Sequence, residues 1–411
     1  MYLYPMAGIY LHIPYCKKAC HYCDFHFSTS QRSRGELIRH MLQELELRKD
    51  YLGNEPVESI YLGGGTPSLL DEDELNSLLD QIHSLFTVVP AAEITLEANP
   101  DDLDPSKLEI LQRSAVNRLS IGVQSFFEED LTWMNRAHSA AEAKTSIQLA
   151  QSAGFNNISI DLIYGYPLLT DEKWATNVRE AINLNIQHLS CYSMTVEPAT
   201  ALDLFIKKGK TAAMNEEQSA AQFGYLMKTL GEHGIAQYEI SNFSRPGFHA
   251  RHNSNYWNGK NYLGIGPSAH SFNQHSRESN IANNNLYISM LKSGGSARKM
   301  FEVLSPVNQL NELIMTSLRT TAGLDLNLVE KRFGTKVRDN LSSQAAVFEK
   351  KGWINLDAVN IGQDTEAGAG GYASADAIGE IRDAGLKARL ALSPEGMKFC
   401  DLITAELFHG D

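Results

Sequence analysis

Three cysteines, Cys16, Cys20 and Cys23, fall within eight residues and constrain this chain more than any other feature. The spacing Cys-x3-Cys-x2-Cys places them on one compact loop, directly after a short apolar strand expected at 8–13. Thiolates gathered in this way ligate iron–sulfur centres. Three donors can hold a [4Fe–4S] cube while leaving one iron without a protein ligand, where a small molecule carrying an amine and a carboxylate can chelate. Such a cube can pass an electron to a bound sulfonium and cleave it to a carbon radical, the difficult chemistry residing in the cofactor. The alternative is a zinc site completed by His21 or His26. Structural zinc takes a second, distant ligand pair, whereas Cys191 and Cys400 stand alone.

Five cysteines, three of them clustered, do not form the evenly spaced framework of a secreted disulfide scaffold; they suit a reducing compartment. The first residues lack the basic, apolar and small-residue segments of a signal peptide, and no apolar run reaches the roughly 18 residues of a membrane span. The chain therefore reads as cytoplasmic. With 49 acidic against 36 basic residues, its net charge of -13 opposes broad affinity for nucleic acid or anionic membrane. At 411 residues, a large domain with a smaller companion is the natural expectation.

Strand patterns at 8–13, 59–62, 93–98, 118–123, 157–163 and 188–192 alternate with helical ones such as 75–86 and 142–153. Six strands each followed by a helix imply an α/β fold with a parallel sheet, and ligands gather at the C-terminal ends of such strands. Spacing alone leaves a barrel and an open doubly wound sheet both available. After about residue 305 the texture turns helical, at 310–318, 326–333 and 337–350, followed by a short run at 353–356. This predicts a smaller, mostly helical domain, with a winged helix as one form. The stretch 361–379 is rich in Gly, Ala, Asp and Ser and reads as a mobile insertion before a last helix at 394–407.

Polar residues interrupt the apolar strands near their ends: Glu97 in the third, Gln124 in the fourth and Asp161 in the fifth. An unpartnered buried polar group costs about 1–3 kcal/mol, so three at successive strand ends point to a shared pocket. The run Gly63-Gly64-Gly65-Thr66-Pro67 after the second strand would let a ligand approach the backbone closely, although a tight turn uses the same residues.

The cysteine spacing with an aromatic residue, Tyr22, before Cys23 resembles the radical SAM superfamily. The longer string from Ile9 to Cys16 resembles the branch that contains oxygen-independent coproporphyrinogen III dehydrogenase and the haem chaperones. That resemblance implies a partial, TIM-like (β/α)6 barrel over residues 1–300, with cluster and S-adenosylmethionine (SAM) sites and a haem-handling segment. It implies a C-terminal domain over 301–411. It further implies that Cys16, Cys20 and Cys23 hold the cluster, and that Tyr10, Tyr22, Gly64, Gly65, Thr66, Glu97, Gln124, Arg136 and Asp161 surround SAM.

Within the branch, the dehydrogenase pattern carries a fourth cysteine two residues after the third, where this chain has Phe25. The chain also starts almost at the first strand, without the dehydrogenase's extension. The string His252-Asn253-x-x-Tyr256-Trp257 resembles the motif associated with haem handling. A neutral imidazole is a usual axial ligand of haem iron and aromatic rings pack on a flat macrocycle, so His252, Tyr256 and Trp257 are the candidate haem residues. His249, His270 and Cys191 are lesser candidates. The resemblance thus implies a chaperone that carries haem to acceptor haemoproteins such as membrane respiratory cytochromes. It would touch the membrane transiently, without nucleic acid, and with dimerisation coupled to cluster occupancy. The rival implication is radical decarboxylation of coproporphyrinogen III.

Overall fold

A computed structural model of the protein describes residues 6–359 and 387–410. These residues divide into two compact units, the larger holding nearly all of the chain up to Val303. The stretch expected to be an insertion at 361–379 lies outside the described residues.

In the first unit, β1 (Ala7–Ile13), β2 (Val57–Gly64), β3 (Val88–Ala98), β4 (Arg118–Gln124), β5 (Ile158–Tyr164) and β6 (His188–Ser193) pair side by side, all parallel. These are the six expected strands; five run longer than expected and β5 is shifted by one residue. A doubly wound sheet reverses its strand order at a switch point, whereas a barrel wall is laid down sequentially. The unbroken order from β1 to β6 therefore decides for the barrel type. Sequence patterns gave no sign of six further strands: β7 (Ala236–Glu239), β8 (Asn242–Ser244), β9 (Tyr262–Ile265), β10 (His270–Phe272), β11 (Ser276–Asn280) and β12 (Arg298–Val303). They extend the sheet to the order β12-β11-β10-β9-β1-β2-β3-β4-β5-β6-β8-β7, so β1 and β6 do not meet and the barrel is partial.

The strands alternate in a way that defines an inside. Ile60, Leu62, Ile94, Leu96, Leu119, Ile121, Ile160, Leu162 and Leu189 are all buried on one face. Each such side chain contributes about 1.5–3 kcal/mol of apolar burial. The opposite parity is polar, as in Tyr61, Thr95, Ser120, Asp161 and Ser190. Parallel strands covered on both faces ordinarily read as continuous apolar runs; here the polar half faces a lumen. Helix starts follow local capping chemistry. Asp71 and Glu74 form a reciprocal capping box on Glu72–Leu85, and Ser139 and Glu142 do the same for Ala140–Ser152.

In the second unit, helices Pro306–Leu318, Leu326–Phe333 and Thr335–Lys350 pack with an antiparallel sheet of β13 (Leu324–Asp325), β14 (Ile354–Val359) and β15 (Lys387–Leu392), ordered β13-β15-β14. Helices dominate, and a helix pair leading into paired strands is the order of a winged helix. The helix expected over 394–407 is instead two, Pro394–Met397 and Cys400–Glu406. Between them Phe399 leaves helical geometry and stacks on Trp353, ring centroids 4.2 Å apart, and it is this stacking that breaks the helix.

Candidate functional site

The cysteine loop leaves the C-terminal end of β1 and is fixed at both ends by backbone hydrogen bonds. Cys16 N–H donates to Ser28 O (3.0 Å), Ser28 N–H donates to Pro14 O (2.8 Å), and Cys23 N–H donates to Cys20 O (3.3 Å). The glycine turn after β2 braces its base: Gly65 N–H donates to Ile13 O (3.0 Å) and Thr66 N–H to Tyr15 O (2.7 Å). On the far side, His21 N–H donates to Met134 O (3.1 Å) and Asn135 Nδ2 to Ala19 O (2.7 Å). All three thiols are free and partly exposed. Burial raises the thiol of Cys16 and pushes that of Cys23 up to about 12.

Arg136 joins this loop to the strand ends. Its Nη1 donates to Cys20 Sγ at 3.3 Å, and its Nη2 to Asn99 Oδ1 (2.6 Å) and Gly122 O (2.8 Å). Arg136 is thus held within the fold by three partners. Tyr22 also faces this guanidinium, its hydroxyl held protonated chiefly by burial. Asn99 in turn donates to Thr66 Oγ1 at 3.3 Å.

Glu97 accepts from Gly64 N–H (3.1 Å) and from the Tyr61 hydroxyl (2.7 Å). Gly64 has φ +101°, and a Cβ there would stand 2.4 Å from His12 Nδ1, so only glycine fits. Burial raises the Glu97 carboxyl to about 7 and that of Asp161 to about 6. Gln124 closes β4 in left-handed backbone, φ 67°, a strained conformation for a residue with a Cβ and one that concentrates at functional sites. Tyr10 bonds His12 Nδ1 at 3.0 Å, while His12 Nε2–H donates to His26 O at 2.9 Å.

The raised Glu97 carboxyl has a consequence for stability. A carboxyl whose pKa rises on folding stabilises the fold below its unfolded value of 4.5, and that contribution is lost as pH climbs through about 7. Glu97→Gln mimics the protonated form. Relative to wild type, the cofactor-free variant should match at pH 5 and gain thermal stability by pH 8. A difference in melting temperature that does not grow with pH would contradict the burial argument.

Below this rim the lumen opens into a cavity of about 620 Å³, within the roughly 300–1,000 Å³ typical of small-molecule sites. Tyr10 is common to rim and cavity. His252, His270, Tyr61, Tyr192 and Tyr256 line its walls, and Arg118 and His188 enter from β4 and β6. His252 stacks on Tyr61 with centroids 5.2 Å apart, and its Nδ1 lies 3.0 Å from Ser59 Oγ. Its backbone N–H donates to Glu93 at 3.1 Å. Burial holds the ring neutral, its pKa down to about 4. Trp257 belongs instead to the second unit and is not part of the cavity wall. It ends the helix Arg251–Trp257, turned about 100° from Tyr256 by helical geometry, and the Arg319 guanidinium lies 5.5 Å over its ring. His249 does not line the cavity, and Cys191 shares the parity of Leu189 on the outer face of β6.

The sequence model of the radical SAM superfamily matches residues 10–181, and that of the HemN C-terminal domain matches 304–362. The Heme chaperone HemW of Bacillus subtilis is 34% identical over 352 residues, covering 85% of this chain and 93% of that protein. The chain belongs to the HemW family of radical SAM proteins. The Heme chaperone HemW of Escherichia coli is 38% identical over 272 residues, 65% of this chain and 70% of that one. The solved structure of coproporphyrinogen III oxidase (HemN) from Escherichia coli shares the fold, with a TM-score of 0.80 at 21% identity, covering 99% of this chain and 91% of that one.

A radical SAM protein carries a [4Fe–4S] cluster and SAM, and the residues present fit both. Among the described residues no three His, Cys, Asp or Glu side chains converge where one metal ion could sit. A cube does not require convergence, since each thiolate takes a different iron. The Arg136 guanidinium against Cys20 suits an anionic cluster. The exposed glycine backbone and the buried carboxylates Glu97 and Asp161 offer acceptors to a cationic amino acid. The cluster supplies electron transfer when bound; the chain's part is to hold the thiolates, place the ligand and exclude water. Sequence inspection passed over Arg118, Tyr61, His188 and Ser190. Their signal was present, as the polar parity of β2, β4 and β6.

Proposed function

We propose that this protein is a haem chaperone, binding haem in the lumen cavity of the barrel beneath a cluster-and-SAM rim. The observation that carries the reading is His252. Its neutral ring stands on the wall of a cavity lined by tyrosines, and among the described residues its Nε2 has no hydrogen-bond partner. An imidazole in this state is ready to ligate haem iron. The reading is supported by the family to which the chain belongs, whose Bacillus subtilis and Escherichia coli members are named haem chaperones.

Cys16, Cys20 and Cys23 hold the cluster, and Tyr10, Tyr22, Gly64, Gly65, Thr66, Glu97, Gln124, Arg136 and Asp161 surround SAM. Among the described residues no helix is long and apolar enough to cross a membrane. The protein works in the cytoplasm, visiting the membrane to deliver haem to respiratory cytochromes, with homodimerisation coupled to cluster occupancy. Phe25, 67% exposed on the cluster loop, stands where the dehydrogenase pattern has its fourth cysteine and disfavours porphyrinogen decarboxylation.

Anaerobic titration of cluster-loaded protein with haem, run beside a coproporphyrinogen assay, tests this reading. Stoichiometric haem binding without vinyl product is expected; efficient vinyl formation with weak haem binding would overturn it. In His252→Ala, haem association should fall at least tenfold while the cluster absorbance persists. Unchanged haem binding would remove His252 as the ligand.

A further inference from the structure

Arg118 lines the same cavity and has no part in the site described so far. It begins β4 on the polar parity and is 2% exposed, among the largest fully buried side chains of the described residues. Among those residues it makes no hydrogen bond and no ion pair, and its Nε is buried without a partner. The side chain nonetheless lines the cavity that holds His252. Its charge is felt by its neighbours: it acts to lower the pKa of Asp161, His188 and His252, although burial is the larger influence on each. Asp161 lies within reach of its field but makes no ion pair with it, and a buried cation with no direct partner is costly. A guanidinium presents paired donors that match a carboxylate in two parallel hydrogen bonds. Tyr61, Tyr192 and Tyr256 supply flat walls beside it.

We propose that Arg118 is the anion anchor of the lumen cavity and receives a carboxylate of the bound ligand, which on the functional reading above is a haem propionate. His252 then addresses the metal and Arg118 the acidic edge of the same planar molecule. This also sets the direction in which the macrocycle enters. A SAM carboxylate has the same chemistry, so the test must separate the two sources.

Cluster-loaded wild type, Arg118→Met and Arg118→Lys are titrated anaerobically with haem, haem dimethyl ester and SAM. Circular dichroism and cluster absorbance check that each variant is folded. Losing a charge-assisted pair should weaken haem binding by about 10- to 100-fold in Arg118→Met. The ester, which has no free carboxylate, should bind all three proteins alike, and SAM affinity should not change. Arg118→Lys should restore part of the preference for haem over its ester; it also decides the matter if the methionine variant does not fold. Equal discrimination of haem and ester in wild type and variants would overturn the anchor while leaving the haem reading in place. A loss confined to SAM would overturn it in favour of the other carboxylate. Wild type that binds no haem would overturn the functional reading and the propionate assignment together.

Discussion

Cys20→Ala is expected to abolish the [4Fe–4S] absorbance and, with it, SAM binding, while the cofactor-free fold stays close to wild type. Cys20 lies on a partly exposed loop, and its only side-chain hydrogen bond among the described residues comes from Arg136. The loop itself is held by backbone bonds that the substitution leaves intact. A cube with two protein thiolates loses a third of its anchors, and the guanidinium placed against the sulfur loses its charge partner. Cys191→Ala makes the contrast. That thiol is 1% exposed on the outer face of β6, so its removal should lower stability by about 1 kcal/mol through lost packing and leave the cluster spectrum unchanged. Anaerobic reconstitution followed by absorbance and Mössbauer spectroscopy measures both. A normal four-iron signal in Cys20→Ala would refute the ligand role.

Gly65→Ala should do comparable damage by another route. A Cβ at Gly65 would stand 2.6 Å from Ile13 O, 2.7 Å from Tyr15 N and 2.8 Å from Tyr15 O. All three are backbone atoms that cannot rotate away, and two of them accept the hydrogen bonds that fasten the glycine turn to the cysteine loop. The added methyl must push the end of β2 off the segment leading into Cys16. Overpacking of this kind costs on the order of 3 kcal/mol. A lowered melting temperature and poor cluster loading should appear together. Gly35→Ala is the control. Nothing lies within 4 Å of its Cβ inside the helix Arg34–Leu47, so it should be neutral or stabilising by up to about 1 kcal/mol. Unimpaired stability and loading in Gly65→Ala would show that the turn can yield.

Local patterns carried well where chemistry is local. The strands β1 to β6 were legible from alternation, and the cysteine loop from spacing. The expected single helix at 394–407 failed because Trp353, some forty residues earlier, draws Phe399 out of helical geometry. The strands β7 to β10 have only three or four residues each, too few for a period to register, and β11 and β12 lack an alternation of buried apolar residues.

The sequence by itself determined the spacing of the three clustered cysteines, the strands that carry the rim and the polar parity of their inner faces, because each depends on neighbours within a few residues. Tertiary structure alone decided that Arg136 turns toward Cys20 and that Arg118 is enclosed with no ion pair among the described residues. Those outcomes depend on which strands lie side by side and how far the sheet curls. Contacts between residues a hundred positions apart have no signature in the order of the chain.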